Sequence, residues 1–394
     1  MNSEAMKIPS AYIDGYARGR GVDPERAANY VAHTTMGDPL ADAMIADLYP
    51  LGRDKLARLI ERGMRGQEDT AFRDAPASVR KFFASLVEPP DWLDLPSFLS
   101  GCRMFHRNTQ LILAGMVGGV LVEGFSTNIS KSFFLTGRLR DQGVRRLKQN
   151  NRHMLEIFMP GGMEKHADGW AISIRVRLVH AKIRYLLTKS SEWNTENLGT
   201  PVSSAHLGFA ISAFSARLLK HLKSLGASFN AEERKSFMAV WRYSGYLMGI
   251  PETILFRHEQ DALEIFRIGK ICEPPPSMES IAMASSLINS VPLVAGITQT
   301  QDRQKLAAHV AQISRARIGN TLADELMYPK ASTFGILWRF RMLNRIEKIM
   351  GKLNWRRSPE VISLTTILDV STFDKGGISY KLPDHIHAEQ SSKW

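Results

Sequence analysis

The chain of 394 residues contains only two cysteines, Cys102 and Cys272. Two cysteines are too few for a disulfide framework, and they fit a reducing compartment. No CxxC or CxxCH motif occurs in the sequence. The sequence therefore signals neither a thiolate zinc site nor the covalent attachment of a c-type haem.

Long hydrophobic runs are also missing. The longest one, 111–122, has 12 residues, whereas a helix that spans a bilayer needs about 20. Its glycines, Gly115, Gly118 and Gly119, favour close helix packing or the close approach of a flat ligand over phosphate binding. The N-terminal residues hold no apolar segment of signal-peptide length. We expect a buried helix at 111–122 and a cytoplasmic protein, peripheral to a membrane at most.

The motifs of several enzyme classes are absent. The sequence has no GxSxG, no HExxH, no P-loop and no GxGxxG after a strand. These absences argue against common hydrolases, kinases and dinucleotide-binding enzymes. No repeat of 20–50 residues and no low-complexity tract occurs either.

The net charge of +12 favours acidic partners in general. The excess of lysine and arginine is spread along the chain, however, which is typical of a solvated surface. We therefore expect no nucleic-acid partner. Hydrophobic residues make up 44% and charged residues 23%, which is ordinary for a globular protein.

Helical patterns dominate the sequence and predict an all-α fold. Period-3.6 or capping patterns predict helices that begin at Pro24 and at Asp54 and others at 76–87, 128–139, 142–159, 171–187, 203–225, 231–248, 277–288 and 303–318. We divide the chain into a helical lead-in (1–90), a core with the candidate site (91–257), C-terminal helices (258–357) and a polar tail (358–394). The tail holds the weak strand candidate 361–370.

The segment 336–357 combines an apolar stripe with basic residues elsewhere on the helix, namely Arg339, Arg341, Arg345, Lys348 and Lys352. Basic amphipathic helices can lie on anionic membranes, so peripheral membrane contact is one interpretation. The other, which the pattern favours, is a surface helix that packs on the core.

The helix predicted over 171–187 places His180 among apolar residues. Arg177 and Arg184 lie three and four residues away, at the edge of the same face. A neutral imidazole in an apolar wall can ligate haem iron, and the two guanidinium groups can pair with haem propionates. From these residues alone, the favoured interpretation is a partly buried histidine held by a hydrogen bond, beside solvated arginines.

A polar face precedes this helix. Arg146, Gln149, Asn150 and His153 share one side of the helix predicted over 142–159. Polar residues at this spacing can line a ligand pocket, and the alternative is an exposed basic face. A planar cofactor between two helices of a bundle is a known arrangement for haem.

A series of short motifs resembles the rubber oxygenase (latex-clearing protein) superfamily, which includes the endoplasmic-reticulum oxygenase of mycophenolic acid biosynthesis. The motifs are GDPLAD at 37–42, PDW at 90–92, LTGRL at 135–139, RRL at 145–147, VRLVHA at 176–181, IR at 183–184, Trp193, GTP at 199–201, WRYSG at 241–245 and LMGIP at 247–251. Each motif is weak alone, and their order and spacing carry the resemblance.

The resemblance implies an all-α, multi-helix domain that encloses a non-covalent b-type haem between helices. It implies that His180 is the proximal iron ligand. The helix face, and not the resemblance, adds Arg177 and Arg184 as predicted cofactor-binding residues. By its spacing to this histidine, the distal arginine of the family corresponds to Arg146. O₂ and an apolar, unsaturated isoprenoid or polyprenoid substrate are the implied partners.

The sequence departs from the family pattern at two points. Gln149 and Asn150 occupy the positions of a lysine and a threonine in the rubber-cleaving branch, and glutamine is a poor iron ligand. The stretch 203–206 reads SSAH where the family often has Gln-Glu-Asp. We expect a haem-dependent oxygenase in which Arg146, Gln149 and Asn150 contact bound oxygen or exclude water. The competing hypotheses are a non-catalytic haem- or lipid-binding protein and a basic membrane-surface or nucleic-acid-binding protein without a cofactor.

Overall fold

A computed structural model describes residues 6–66, 70–136 and 143–342. The prediction of an all-α fold is confirmed, and no strand occurs in these residues. The α-helices are α1 (Ile13–Arg20), α2 (Pro24–His33), α3 (Pro39–Leu48), α4 (Arg53–Met64), α5 (Thr70–Arg73), α6 (Ala77–Ala84), α7 (Leu99–Arg107), α8 (Thr109–Gly115), α9 (Leu121–Phe125), α10 (Ile129–Leu135), α11 (Gly143–Ile157), α12 (Asp168–Thr188), α13 (Thr195–Leu198), α14 (Ser204–Ser212), α15 (Leu218–Ser224), α16 (Ala231–Leu247), α17 (Glu259–Cys272), α18 (Met278–Val294), α19 (Thr300–Ile318) and α20 (Asn320–Glu325). Shorter 3₁₀ segments are Ser10–Tyr12, Tyr49–Leu51 and Leu95–Phe98, and π-helical segments are Met116–Val120 and Ala213–Arg217. The strand candidate 361–370 and the polar tail lie outside the described residues.

Side-chain caps explain where several helices begin. Asp23 accepts a hydrogen bond from the backbone of Arg26, and Pro24 occupies the first turn of α2. Asp38 caps α3 in the same way, and Pro39 occupies the first turn of that helix. Both follow the preference for an acidic N-cap and a proline at the first helical position.

Two ion pairs, one buried and one partly buried, join the lead-in to the core. Arg177 of α12 donates to both carboxylate oxygens of Asp38, with Nε–Oδ2 and Nη2–Oδ1 distances of 2.5 and 3.0 Å. One turn further on, Nε of Arg184 donates to Oδ1 of Asp42 over 2.7 Å. The GDPLAD motif thus docks α3 onto α12.

The described helices share one hydrophobic core. The buried cluster includes Ala27 of the lead-in, Leu178 of α12 and Tyr328 beyond α20. The zones 1–90, 91–257 and the described part of 258–357 are therefore segments of one packed unit.

Two long helices contain a π-helical turn. The first runs from α8 through Met116–Val120 into α9, and the second from α14 through Ala213–Arg217 into α15. The periodicity over 203–225 predicted the second helix without its π turn. A π turn inserts a residue and rotates the faces of the helix beyond it, and such turns are frequent at functional sites.

Charged side chains fill the space between these two helices. Arg217 donates to both oxygens of the buried Glu123, and Nε2 of His221 lies 3.1 Å from the same carboxylate. Burial raises the pKa of Glu123, but His221 and Arg217 outweigh it and lower that pKa to about 2. Arg317 of α19 donates to the carbonyl of Ala114 over 2.5 Å.

The glycines of the first helix make room for this cluster. A Cβ on Gly119 would lie 2.8 Å from Nε2 of His221, and a Cβ on Gly118 would lie 3.3 Å from Nη1 of Arg317. Close helix packing, one of the two interpretations of these glycines, therefore explains them.

No single helix in the described ranges is both long and apolar enough to span a bilayer. The helical segments Leu95–Arg107 and Thr109–Phe125 would together be long and apolar enough, but the chain bends by 82° between them. Of the basic segment 336–357, only 336–342 is described, and it is helical. There Ile336 is buried and Trp338 is exposed.

Candidate functional site

A largely apolar cavity lies between the two π-containing helices and α10, α11, α12 and α16. The empty space inside it, including its open mouth, is about 1110 Å³. Its apolar wall consists of Val120, Leu121, Gly124, Phe125, Ile129, Phe133, Val176, Val179, Leu207, Ala210, Ile211, Ala213, Phe214, Trp241, Met248 and Ile250. The remaining lining residues are Gln149, Asn150, His153 and His180. A few convergent polar groups in an apolar cavity are typical of a small-molecule site.

His180 lies on α12 as the sequence predicts. Its neighbours Val176 and Val179 also line the cavity, so the face predicted to surround the histidine is the wall that faces the ligand space. His180 is half-buried, and its Nδ1 is shielded from solvent. The helical spacing and the burial together place one imidazole in an apolar wall.

Gln149, Asn150 and His153 line the same cavity from α11. The two consecutive helices α11 and α12 therefore bring the predicted polar face and the predicted iron ligand together. The backbone of Arg146 belongs to α11, but the side chains of 143–148 lie outside the described part of the chain. The position of the Arg146 guanidinium group thus stays a prediction.

Arg177 and Arg184 do not line the cavity. Both are buried, and both are paired with the aspartates of the GDPLAD motif. Asp38, the partner of Arg177, is buried, whereas Asp42, the partner of Arg184, is about one third exposed. In this structure the two arginines hold α3 on α12, and their pairing with haem propionates stays a prediction.

His153 is fixed by two serine hydroxyls. Its Nε2 lies 3.1 Å from Oγ of Ser173 on α12 and 3.2 Å from Oγ of Ser244 on α16. Its ring makes an edge contact with Trp241, with centroids 6.0 Å apart. Burial lowers the pKa of His153 to about 4, so the ring is neutral at physiological pH.

Aromatic side chains shape the wall opposite α11 and α12. Phe214, within the second π turn, stacks on Trp241 at a centroid distance of 5.5 Å and an angle of 16°. Phe158 makes an edge contact with the same indole, with ring centroids 6.0 Å apart. Sequence reasoning missed Phe214 and Trp241 as cavity residues, although Trp241 belongs to the WRYSG motif. Phe214 lies seven residues after Leu207 and three after Ile211, which line the same cavity, so the helical period already puts it on their face.

The altered stretch 203–206 lies beside the cavity and does not line it. Ser203 caps α14, and Nδ1 of His206 lies 3.0 Å from its hydroxyl. Nε2 of His206 lies 3.0 Å from the hydroxyl of Tyr12. All three residues are buried, so this stretch ties α14 to the N-terminal residues.

The donor set in the cavity limits the kind of cofactor that fits. No group of three or more His, Cys, Asp or Glu side chains suited to a metal ion occurs among the described residues. Haem iron needs only one strong protein ligand, because the porphyrin supplies the other four nitrogens. A single histidine in an apolar cavity therefore fits a non-covalent haem better than a metal held by side chains alone.

Comparison with known proteins identifies the family. Residues 103–346 match the family described as "ER-bound oxygenase mpaB/B'/Rubber oxygenase, catalytic domain". The match covers more than half of the chain and includes α11, α12 and α16, so the chain belongs to this family. The family region begins after the GDPLAD motif and extends through the C-terminal helices, well beyond the core boundary at 257 that the motifs suggested.

Two relatives agree with this assignment. The chain is 23% identical over 253 residues to the rubber oxygenase of Streptomyces sp. (strain K30), and the match covers 62% of this chain and 58% of that protein. The structure of latex clearing protein LCP in the closed state superposes with a TM-score of 0.68 at 19% identity, covering 89% of this chain and 95% of that one. The second comparison shows that the two proteins share a fold.

Proposed function

We propose that the protein is a haem-dependent oxygenase that acts on an apolar, unsaturated isoprenoid substrate. The observation that carries the proposal is the single cavity lined by His180 from one helix and by Gln149 and Asn150 from the preceding helix. Membership of the oxygenase family and the name of the curated relative, a rubber oxygenase, support it.

His180 is the residue that would hold the iron of haem b. Its Nδ1 is shielded from solvent, and a ring nitrogen of a neutral imidazole can ligate haem iron. When bound, the haem supplies the chemistry that activates O₂. Val176 and Val179 form an apolar wall beside the imidazole, and the neutral imidazole is the form that ligates metals.

Gln149 and Asn150 face the cavity from α11, opposite the helix of His180. Their amide groups can donate and accept hydrogen bonds, so they orient O₂ and substrate and limit the entry of water. Arg146, three residues before Gln149 on the same helix face, is proposed to add a fixed positive charge to this wall.

The lining favours an apolar substrate. Most of the wall is aliphatic or aromatic, and burying apolar surface yields roughly 25 cal/mol for each Å² removed from water. An isoprenoid chain fits such a wall, and its carbon–carbon double bond is the group for oxidation in the proposed reaction.

The test begins with the full-length protein expressed with a haem supply. The proposal predicts a Soret band at a stoichiometry near one haem per chain and O₂ consumption when polyisoprene or a shorter polyprenoid is added. A protein without a Soret band would contradict the haem assignment and favour a basic protein without cofactor. A Soret band with no O₂ consumption on any isoprenoid would favour the non-catalytic haem- or lipid-binding alternative.

A further inference from the structure

We infer that His153 is a specificity-determining residue that accepts a hydrogen bond from a hydroxyl group of the substrate. The inference rests on the proposed function and narrows its substrate class to isoprenoids that carry a hydroxyl, in place of pure hydrocarbons. The observation behind it is the hydrogen bonding of the His153 ring, which fixes one nitrogen and leaves the other for the cavity.

The two serines determine which nitrogen of His153 carries the proton. Ser173 donates its single hydrogen to the carbonyl of Gly169 over 2.8 Å, so its oxygen can only accept from its other neighbours. The Ser173 and Ser244 oxygens are 3.1 Å apart. If Nε2 carries the proton, it donates to these oxygens at 3.1 and 3.2 Å, and Ser244 donates to Ser173.

The tautomer with the proton on Nδ1 provides too few hydrogens for the three contacts among Nε2, Ser173 and Ser244. If Nε2 carries no proton, the Ser244 hydroxyl has one hydrogen for two acceptors, Nε2 and the Ser173 oxygen. The contact between Nε2 and Ser173 then contains no hydrogen at all. Two of the three close contacts would then bring acceptors together, and buried acceptors without donors cost free energy. The geometry therefore selects the tautomer with the proton on Nε2.

Nδ1 of His153 is then an acceptor. All hydrogen bonds of this ring to described residues fall on Nε2, and the residue lines the cavity. Because burial lowers its pKa to about 4, Nδ1 keeps its lone pair at physiological pH. As an acceptor, Nδ1 cannot donate a hydrogen bond to bound O₂. A hydroxyl group of the substrate can donate one to Nδ1.

A pure hydrocarbon would bury Nδ1 without a partner. A site built to bind a hydroxyl discriminates against analogues that lack it, because the polar group of the site is left unpaired. Gln149 and Asn150 lie on the same helix face as His153, so the polar end of the substrate should lie along α11 and its apolar chain along Phe214 and the aliphatic wall.

The test measures binding and needs no turnover. Farnesol and farnesyl methyl ether have the same carbon chain and the same oxygen, and only farnesol has a hydrogen to donate. Isothermal titration of the full-length protein as purified should show that farnesol binds about tenfold more tightly, a factor equal to about 1.4 kcal/mol. In His153→Phe, the affinity for farnesol should fall to that for the ether, and the ether should bind as before.

Further variants serve as controls. His153→Asn keeps an oxygen acceptor near the position of Nδ1 and should retain part of the preference for farnesol. His106→Phe changes a half-buried histidine that lies outside the cavity and should leave both affinities unchanged. If His153→Phe binds neither probe, Ser244→Ala is the deciding variant. It removes one of the two oxygens that hold the proton on Nε2 of His153, and it changes no cavity-lining side chain. The inference predicts a reduced preference in that variant.

Two results would overturn the inference. One is equal affinity of the wild-type protein for farnesol and the ether, which would leave the proposed oxygenase function intact. The other is a farnesol preference that persists in His153→Phe or is unchanged in Ser244→Ala. Binding of neither probe by the wild-type protein would contradict the apolar substrate of the proposed function as well.

Discussion

Arg177 and Asp38 form a two-point ion pair between residues 139 positions apart, at 2.5 and 3.0 Å. Only 7% of Arg177 and 5% of Asp38 is exposed. Gly249 allows this pair to form, because a Cβ there would overlap Oδ2 of Asp38 and would lie 2.5 Å from Nε of Arg177. The GDPLAD, VRLVHA and LMGIP motifs thus meet at one buried contact.

Breaking this pair should destabilise the protein strongly. Asp38→Ala leaves the buried guanidinium of Arg177 without its counter-charge, and we expect a loss of about 3–5 kcal/mol in the free energy of unfolding. Glu61→Ala, which breaks the exposed Arg65–Glu61 pair, should cost less than about 1 kcal/mol. Urea denaturation of both variants checks the prediction, and similar losses in the two would contradict it.

The stability should depend on pH through His153. Its pKa is lowered by burial to about 4 in the folded protein and is about 6.5 in the unfolded chain. The neutral ring therefore stabilises the fold fully above pH 6.5, and this contribution is lost as the pH falls toward 4. Between pH 7 and pH 5, the free energy of unfolding should fall by about 2 kcal/mol more in the wild type than in His153→Phe.

Urea titrations of the wild type and His153→Phe at the two pH values measure this difference. His221, whose pKa is likewise about 4 chiefly because of burial, is present in both proteins, so its contribution cancels. An equal fall in stability would show that His153 is not the neutral, buried group described above.

The helices could be predicted from the sequence because their signals are local. The apolar period predicted a helix over 171–187, and α12 runs from Asp168 to Thr188. Caps such as Asp23 predicted the start of α2. The period also predicted correctly that His180 has apolar neighbours, and the face shared by Gln149, Asn150 and His153 lines a pocket as expected.

The partners of Arg177 and Arg184 could not be predicted in this way. Periodicity gives the face of a helix, but it does not reveal which distant segment covers that face. Asp38 and Asp42 belong to a helix more than a hundred residues earlier in the chain. The π turn Ala213–Arg217 was equally hidden, because one inserted residue rotates the helix faces beyond it without changing the composition of the helix.

The two adjacent arginines of α11 should differ in effect. On an ideal helix, position 146 falls on the face of Gln149, Asn150 and His153, whereas position 145 is offset from position 146 by about 100°. Arg146→Ala should lower haem retention or O₂ consumption about tenfold, equal to about 1.4 kcal/mol, and Arg145→Ala should be nearly silent. Haem titration of the two variants tests this, and an equal or larger effect of Arg145→Ala would contradict the placement.

Gln149 determines the spin state expected for the ferric haem. A glutamine is a poor iron ligand, so the sixth position should hold water or be empty, with a high-spin absorption spectrum. Gln149→Lys places an amine on the cavity wall and should shift the spectrum to low spin as the pH rises and the amine loses its proton. A wild-type low-spin spectrum that changes in Lys148→Ala would show that the register of α11 differs by one residue.

The central claim is that His180 holds the haem. The most direct measurement is the Soret absorbance per chain of the haem-reconstituted His180→Ala protein, compared with the wild type and with His106→Ala as a control outside the cavity. The account predicts that His180→Ala loses stoichiometric haem binding while its far-ultraviolet circular dichroism stays helical, and that His106→Ala keeps both. A full Soret band in His180→Ala with unchanged circular dichroism would contradict the account.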